Sequence, residues 1–194
     1  MAMDERLRDE LLGMQAADRE LRRELVEAGE LYGPHLPKDW YNPRMRALHE
    51  RHNARLGALL AAHGWPGRAL VGEAAAEAAW FIAQHAVLDL ALQRRALALL
   101  SAAVDRNDAP AWQMAMLTDR VRMGAGEPQV YGSIHVGGEN GELVPYEIED
   151  PENVEARRRA VGLPPLADKT AELKARVAVE EKVQREAGRG ADGA

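Results

Sequence analysis

Residues 73–85, Glu-Ala-Ala-Ala-Glu-Ala-Ala-Trp-Phe-Ile-Ala-Gln-His, decide how this chain folds. After two acids spaced one turn apart, apolar side chains occupy every direction around a 3.6-residue helical period, so the segment from about Gly72 to His85 has no face suited to water. It reads as the central helix of a bundle. Alanine contributes 35 of 194 residues and phenylalanine one, so the surrounding core is expected to be helices with small side chains in close approach.

The neighbouring segments carry the patterns of helices that pack on such a centre. Residues 4–28 place Leu7, Leu11, Met14, Leu21 and Leu25 on one narrow stripe of an otherwise charged helix, and Asp18 is the one charged position of that alternating four-three spacing. A second helix is expected from Arg44 to Ala62 with Leu48, Leu56, Leu59 and Leu60 inward. It stops at His63-Gly64-Trp65-Pro66-Gly67. A fourth helix runs from Leu90 to Val104 after Asp89, and a fifth follows Asp108 as cap, with Pro110 in its first turn, and ends at Gly124. Leu31 to Pro43, with Tyr32, His35, Trp40 and Tyr41, is an aromatic connector.

Beyond Gly124 the period changes from helical to alternating. Pro128–Val136 and Leu143–Ile148 flank Gly137-Gly138-Glu139-Asn140-Gly141, which predicts a β-hairpin. Asp150-Pro151 opens a short helix ending near Gly162, and Pro164-Pro165 separates it from a charged helix over Ala167–Ala187 with a disordered Gly188–Ala194 tail. The fold class is mainly α (α+β): a compact helical bundle of five to seven helices with one β-hairpin near residues 128–148. The expected organisation is an amphipathic N-terminal helix (1–30), a core domain (31–166) and a charged C-terminal segment (167–194).

Composition excludes several classes of function. With no cysteine, thiolate metal sites, Fe–S clusters and cysteine nucleophiles are ruled out. A formal charge of -6 argues against a nucleic-acid surface, although 21 of the 25 cations are Arg, which suits carboxylate and phosphate recognition. No apolar run is long enough to span a bilayer, and the charged start is unlike a signal peptide, so a cytoplasmic protein without membrane partners is expected. Glycine-rich phosphate loops and the GxSxG elbow are also missing.

What is left is polar residues set in apolar surroundings, where an unpaired group costs about 1–3 kcal/mol. His85 and Gln84 follow Trp80 on the most apolar helix. Asp119 and Arg120 sit between apolar neighbours at the end of the fifth helix. Gln129, Tyr131 and Ser133 alternate along the first hairpin strand, with His135 continuing that face. His49 and His52, one turn apart beside Asn53, would be metal ligands together with His85 or Asp119; lacking an HExxH frame, they read instead as exposed histidines. The alternative for His85 is a satisfied core histidine, and for Asp119 and Arg120 an interhelix ion pair.

These residues resemble an uncharacterised bacterial family known only as a domain of unknown function. The resemblance rests on Gly64-Trp65-Pro66, Trp80 with Gln84-His85, Leu117-Thr118-Asp119-Arg120-Val121, Gln129 with Tyr131-Gly132-Ser133, and Asp150-Pro151 followed by Arg157, Arg158 and Gly162-Leu163. It covers roughly residues 44–166 and leaves the first and last helices outside. It implies that Gln84, His85, Asp119, Arg120, Gln129 and Tyr131 occupy motif positions. This chain departs from the pattern at Ser133 and Ile134, where the family has Thr and Gln.

Two functions follow as expectations. The first is a pocket for a small anionic ligand, with metal-free acid/base chemistry: His85, Asp119 and Tyr131 catalytic, and Gln84, Arg120, Gln129, Ser133 and Trp80 binding the ligand, without cofactor. The second is a non-catalytic module whose flanking helices dock a protein partner or a second copy.

Overall fold

The computed structural model describes residues 3–31, 41–138 and 142–191, with side chains described up to residue 183. The connector at 32–40 and the hairpin turn at Glu139, Asn140 and Gly141 lie outside the described residues, as do residues 192–194 of the expected tail.

Eight α-helices are present among the described residues: α1 (Glu5–Glu27), α2 (Pro43–His63), α3 (Arg68–Val71), α4 (Glu73–His85), α5 (Leu90–Asp105), α6 (Ala111–Gly124), α7 (Val154–Ala160) and α8 (Leu166–Ala191). One antiparallel pair, β1 (His135–Gly137) and β2 (Leu143–Pro145), joins them, with Val136 opposite Val144. The class is mainly α with a single hairpin, as the periodicity predicts. The eighth helix is α3, a single turn too short to leave an amphipathic signature.

Local chemistry sets the helix starts. Asp4 accepts the Leu7 N–H at 2.9 Å, Asn42 accepts that of Arg44 at 2.9 Å, and Asp89 accepts that of Leu92 at 2.9 Å. Asp108 does not cap α6. It reaches back to α3, where its Oδ1 accepts the Ala69 N–H at 2.7 Å while its carbonyl accepts the Arg68 N–H at 3.0 Å. This clamp needs Gly67, because a Cβ there would lie 2.0 Å from Asp108 Oδ2. Gly67→Ala is expected to dislodge the clamp and lower stability by about 2 kcal/mol in urea denaturation. An unchanged midpoint would show that the Asp108 side chain is dispensable there.

The α4 helix is central, as its composition predicts. Ala75, Ala78, Ala79 and Ala83 are wholly buried, and α1, α2, α3, α5 and α6 all pack on it. The stripe of α1 is taken up inside the same molecule, with Leu7 and Leu11 joining Leu56, Leu60, Ala79 and Leu100 in the main core. Leu25, Leu31 and Met45 form a smaller cluster at the other end of α1. The α8 helix runs on to Ala191, into the first part of the stretch expected to be a disordered tail.

The hairpin is much shorter than the alternation suggests. Residues 128–134 form a loop that touches β-structure in one bridge, Gln129 to Ile148, and turns at Gly132 with φ +65°. The reason is Asp119. Its Oδ1 accepts the N–H groups of Val130 (2.7 Å) and Tyr131 (2.9 Å), and its Oδ2 accepts that of Ser133 (2.9 Å). Backbone donors gathered on one carboxylate cannot also form a ladder. No helix among the described residues is long and apolar enough to cross a membrane.

Candidate functional site

Helices α1, α2 and α4 each deliver one side chain to a single buried point: Asp18, His49 and His85. Asp18 lies on the inward stripe of α1, so the same spacing that buries Leu11 and Leu25 buries its carboxylate, whose side chain is 2% exposed. His49 sits one turn before the buried Asn53 on α2, and His85 is the last residue of α4. His49 Nε2 is 2.5 Å from Asp18 Oδ2, and His85 Nδ1 is 3.3 Å from the same oxygen. The two imidazoles stack with centroids 5.1 Å apart and planes 17° from parallel, and Phe81 meets His85 edge-on at 4.2 Å.

Tyr41 completes the chain of contacts, its hydroxyl hydrogen-bonded to His49 Nδ1. Burial, followed by the Asp18 charge, pushes the Tyr41 hydroxyl up to about 12 against the opposing pull of Arg46 and Arg120, so it keeps its proton at neutral pH. Burial would by itself raise the Asp18 carboxyl, but the His49 hydrogen bond, the His85 contact and the charge of both rings outweigh it and hold Asp18 well below the usual carboxylate range. An ionised carboxylate only accepts. Asp18 Oδ2 therefore accepts from His49 Nε2, whose other ring nitrogen meets the Tyr41 hydroxyl.

His85 is the member of this set that meets solvent. Its Nδ1 is buried 3.3 Å from Asp18 Oδ2 without a hydrogen bond to it, and its side chain as a whole is 35% exposed. Asp18 Oδ1 is buried without a hydrogen-bond partner, and so is Arg120 Nε. Burial lowers the Arg120 guanidinium, while Asp119 and Tyr41 act to raise it. The Arg120 charge thus bears on the Tyr41 end of the site.

The same donors could hold a divalent transition ion, since Asp18, His49 and His85 offer ligand atoms all within 4.8 Å of one another. Two ligands each about 2.0–2.1 Å from one tetrahedral ion lie roughly 3.3 Å apart. The His85–Asp18 distance matches this, whereas the 2.5 Å His49–Asp18 distance is that of a hydrogen bond. The arrangement is a hydrogen-bonded cluster that an ion would have to open.

The residues singled out in the sequence fall into two groups. His85 belongs to the Asp18–His49 cluster, and Arg120 borders it. Asp119, Gln129, Tyr131 and Ser133 instead cluster at the 128–134 loop. Asp119, expected to be catalytic alongside His85, has both oxygens occupied by loop N–H groups, and the acid that faces His85 is Asp18. Gln129, fully buried, donates to the carbonyls of Ile134 (3.0 Å) and Tyr146 (2.8 Å) and accepts the Ile134 N–H (2.9 Å), so its amide organises the loop instead of lining a wall with Tyr131 and Ser133. Tyr131 is fixed through its backbone N–H and carbonyl.

Gln84 and Trp80 join α4 to α6. With its amide turned so that the oxygen faces them, Gln84 accepts the Leu117 N–H at 2.9 Å and the Trp80 indole at 3.3 Å, and Trp80 Nε1 donates to the Gln113 carbonyl at 3.0 Å. His49 and His52 are buried, contrary to the exposed setting expected of them. Of that pair His49 meets His85, and burial lowers His52, which keeps it uncharged. Sequence reasoning overlooked Asp18 and Tyr41. Asp18 did carry a signal: an acid on an apolar stripe.

With this geometry described, the comparison with known proteins is informative about kinship. The model of the family of unknown function DUF6624 matches residues 5–182. The chain belongs to that family. The match extends beyond the 44–166 span of the resemblance and takes in α1, and Asp18 with it, so the first helix is part of the DUF6624 unit. No curated protein and no solved structure matches the chain.

Proposed function

We propose that this DUF6624 protein is a small acid/base enzyme acting on a small anionic ligand, with His85 as the proton-transferring group. One observation carries this: the buried Asp18 carboxylate lies 3.3 Å from Nδ1 of a histidine whose side chain is 35% exposed. A carboxylate in that position favours the Nδ1–H tautomer and leaves Nε2 free to take a proton and give it back. His49 and Tyr41 hold Asp18 from the other side, so the carboxylate does not rotate away. Arg120 supplies positive charge beside the site, which suits an anionic substrate.

The test is a thermal-shift screen of small carboxylates and phosphate monoesters, followed by proton NMR of each binder for solvent exchange or hydrolysis. The wild type is expected to bind and convert at least one of them. His85→Gln should keep binding but slow conversion at least 100-fold, and Arg120→Met should weaken binding about 10-fold. Conversion at the wild-type rate by His85→Gln removes His85 from the chemistry. Under this reading dialysis against a chelator leaves Tm and conversion unchanged, whereas a fall of several degrees assigns the three donors to a bound divalent ion.

A further inference from the structure

A second recess lies where α6, α7, the turn before α8 and the 128–134 loop meet. It is a cavity of about 250 Å³ lined by Trp112, Met116, Ser133, Arg158, Leu163 and Pro164, with Lys169 and Gly162 at its margin. Arg158 is 1% exposed, although it stands in a run of three arginines. Its Nε donates to the Pro164 carbonyl at 2.7 Å, and its Nη1 to those of Tyr131 (2.6 Å) and Gly132 (3.4 Å). Among the described residues Nη2 has no hydrogen-bond partner, and no carboxylate forms an ion pair with this guanidinium. Its two acidic neighbours are already engaged: Asp119 by the loop, and Glu155, whose Oε1 accepts the Leu166 N–H at 3.0 Å.

A buried cation held only by neutral carbonyls is an incomplete arrangement, because desolvation costs several kcal/mol and calls for an opposite charge. Burial pushes the Arg158 guanidinium below its usual value, and Glu155 and Asp119 only oppose that. Ser133 also lines the cavity, and its Oγ is buried with no partner. Two polar groups lacking partners therefore border one cavity whose other walls are largely apolar.

We propose that this recess binds a small organic acid, an aromatic or branched aliphatic carboxylate. Its carboxylate is received by Arg158 Nη2 and Ser133 Oγ with Lys169 at the rim, and its apolar body lies against Trp112, Met116 and Leu163. The volume fits: a cavity of about 150 Å³ takes benzene. The donor set also fits a monoanion better than a phosphate dianion, since Lys169 already pairs with Glu172 at 2.8 Å and one guanidinium nitrogen with one hydroxyl remain. The site is separate from the His85 cluster and stands or falls independently of it.

The experiment follows the Trp112 indole N–H resonance, assigned by its loss in Trp112→Phe, while the full chain is titrated with benzoate, phenylacetate or isovalerate. Benzamide and inorganic phosphate serve as comparators. At least one acid should shift the resonance saturably at about 10 mM or below, with benzamide at least about 10-fold weaker, and Ser133→Ala and Lys169→Met should each weaken the acid about 3- to 10-fold. Arg158 is left intact because it also holds the loop. The proposal is overturned if no acid saturates the shift, if benzamide equals benzoate, or if phosphate acts as strongly as the acids.

Discussion

Asp119→Ala is expected to lower the stability of the protein by about 3–5 kcal/mol, one of the two largest effects for a single side chain. The carboxylate accepts three backbone N–H groups of one loop at 2.7–2.9 Å and is wholly buried. Removing it leaves those donors without partners, and it also frees the turn at Gly132, where a Cβ would lie 3.0 Å from Ile148 and Leu166. For a chain of this size the loss corresponds to roughly 10 °C in Tm, measurable by calorimetry. Asp119→Asn keeps one oxygen and should lose less. A near-neutral Asp119→Ala would mean that Gln129 and Arg158 suffice to hold the loop. The two substitutions also separate the sites, because the Asp18–His49–His85 contacts do not pass through Asp119.

Asp18→Asn is expected to cost about 2–3 kcal/mol at pH 7, since it replaces the charged group that His49 hydrogen-bonds and His85 faces with a neutral amide. The pH dependence gives the sharper test. The folded-state carboxyl lies below its unfolded value, so as pH falls the unfolded chain takes up the proton first. The stabilisation is therefore present above about pH 4 and is lost as pH drops towards the folded value. Between about pH 5 and pH 3 the stability gap between wild type and Asp18→Asn should narrow by about 1 kcal/mol. A gap that stays constant across that range would mean that the ionised carboxylate is not what holds the two rings.

The parts of the site differ in how readable they were. His85 and Asp119 stood out because each interrupts an apolar run, and each is in fact held by specific buried contacts. Gln129 and Ser133 were misassigned to a strand face because alternation over a few residues looks the same whether the backbone donors go to a neighbouring strand or to one carboxylate. His49 was weighed with His85 as a metal pair, and the two rings do meet, but the acid between them comes from α1. Asp18 was visible as an irregularity in a stripe of leucines, yet nothing in that stripe indicates which helix will lie across it. Arg158 entered only as part of the resemblance, and its burial was not legible, since three consecutive arginines in the last turn of a helix read as solvated.

By itself, then, the sequence determined the helices: where Asp4, Asn42 and Asp89 start them, where Gly64 and Gly162 stop them, and that the alanine-rich α4 would lie at the centre. These are contacts across a few residues, made wherever the chain adopts the local turn. The tertiary structure alone decided that Asp18 would meet His85 and His49, that Asp119 would gather a loop, and that Arg158 would be buried without a counter-charge. Those outcomes depend on how helix faces far apart in the chain are set against one another, and side-chain spacing within one helix carries no record of its neighbour's face.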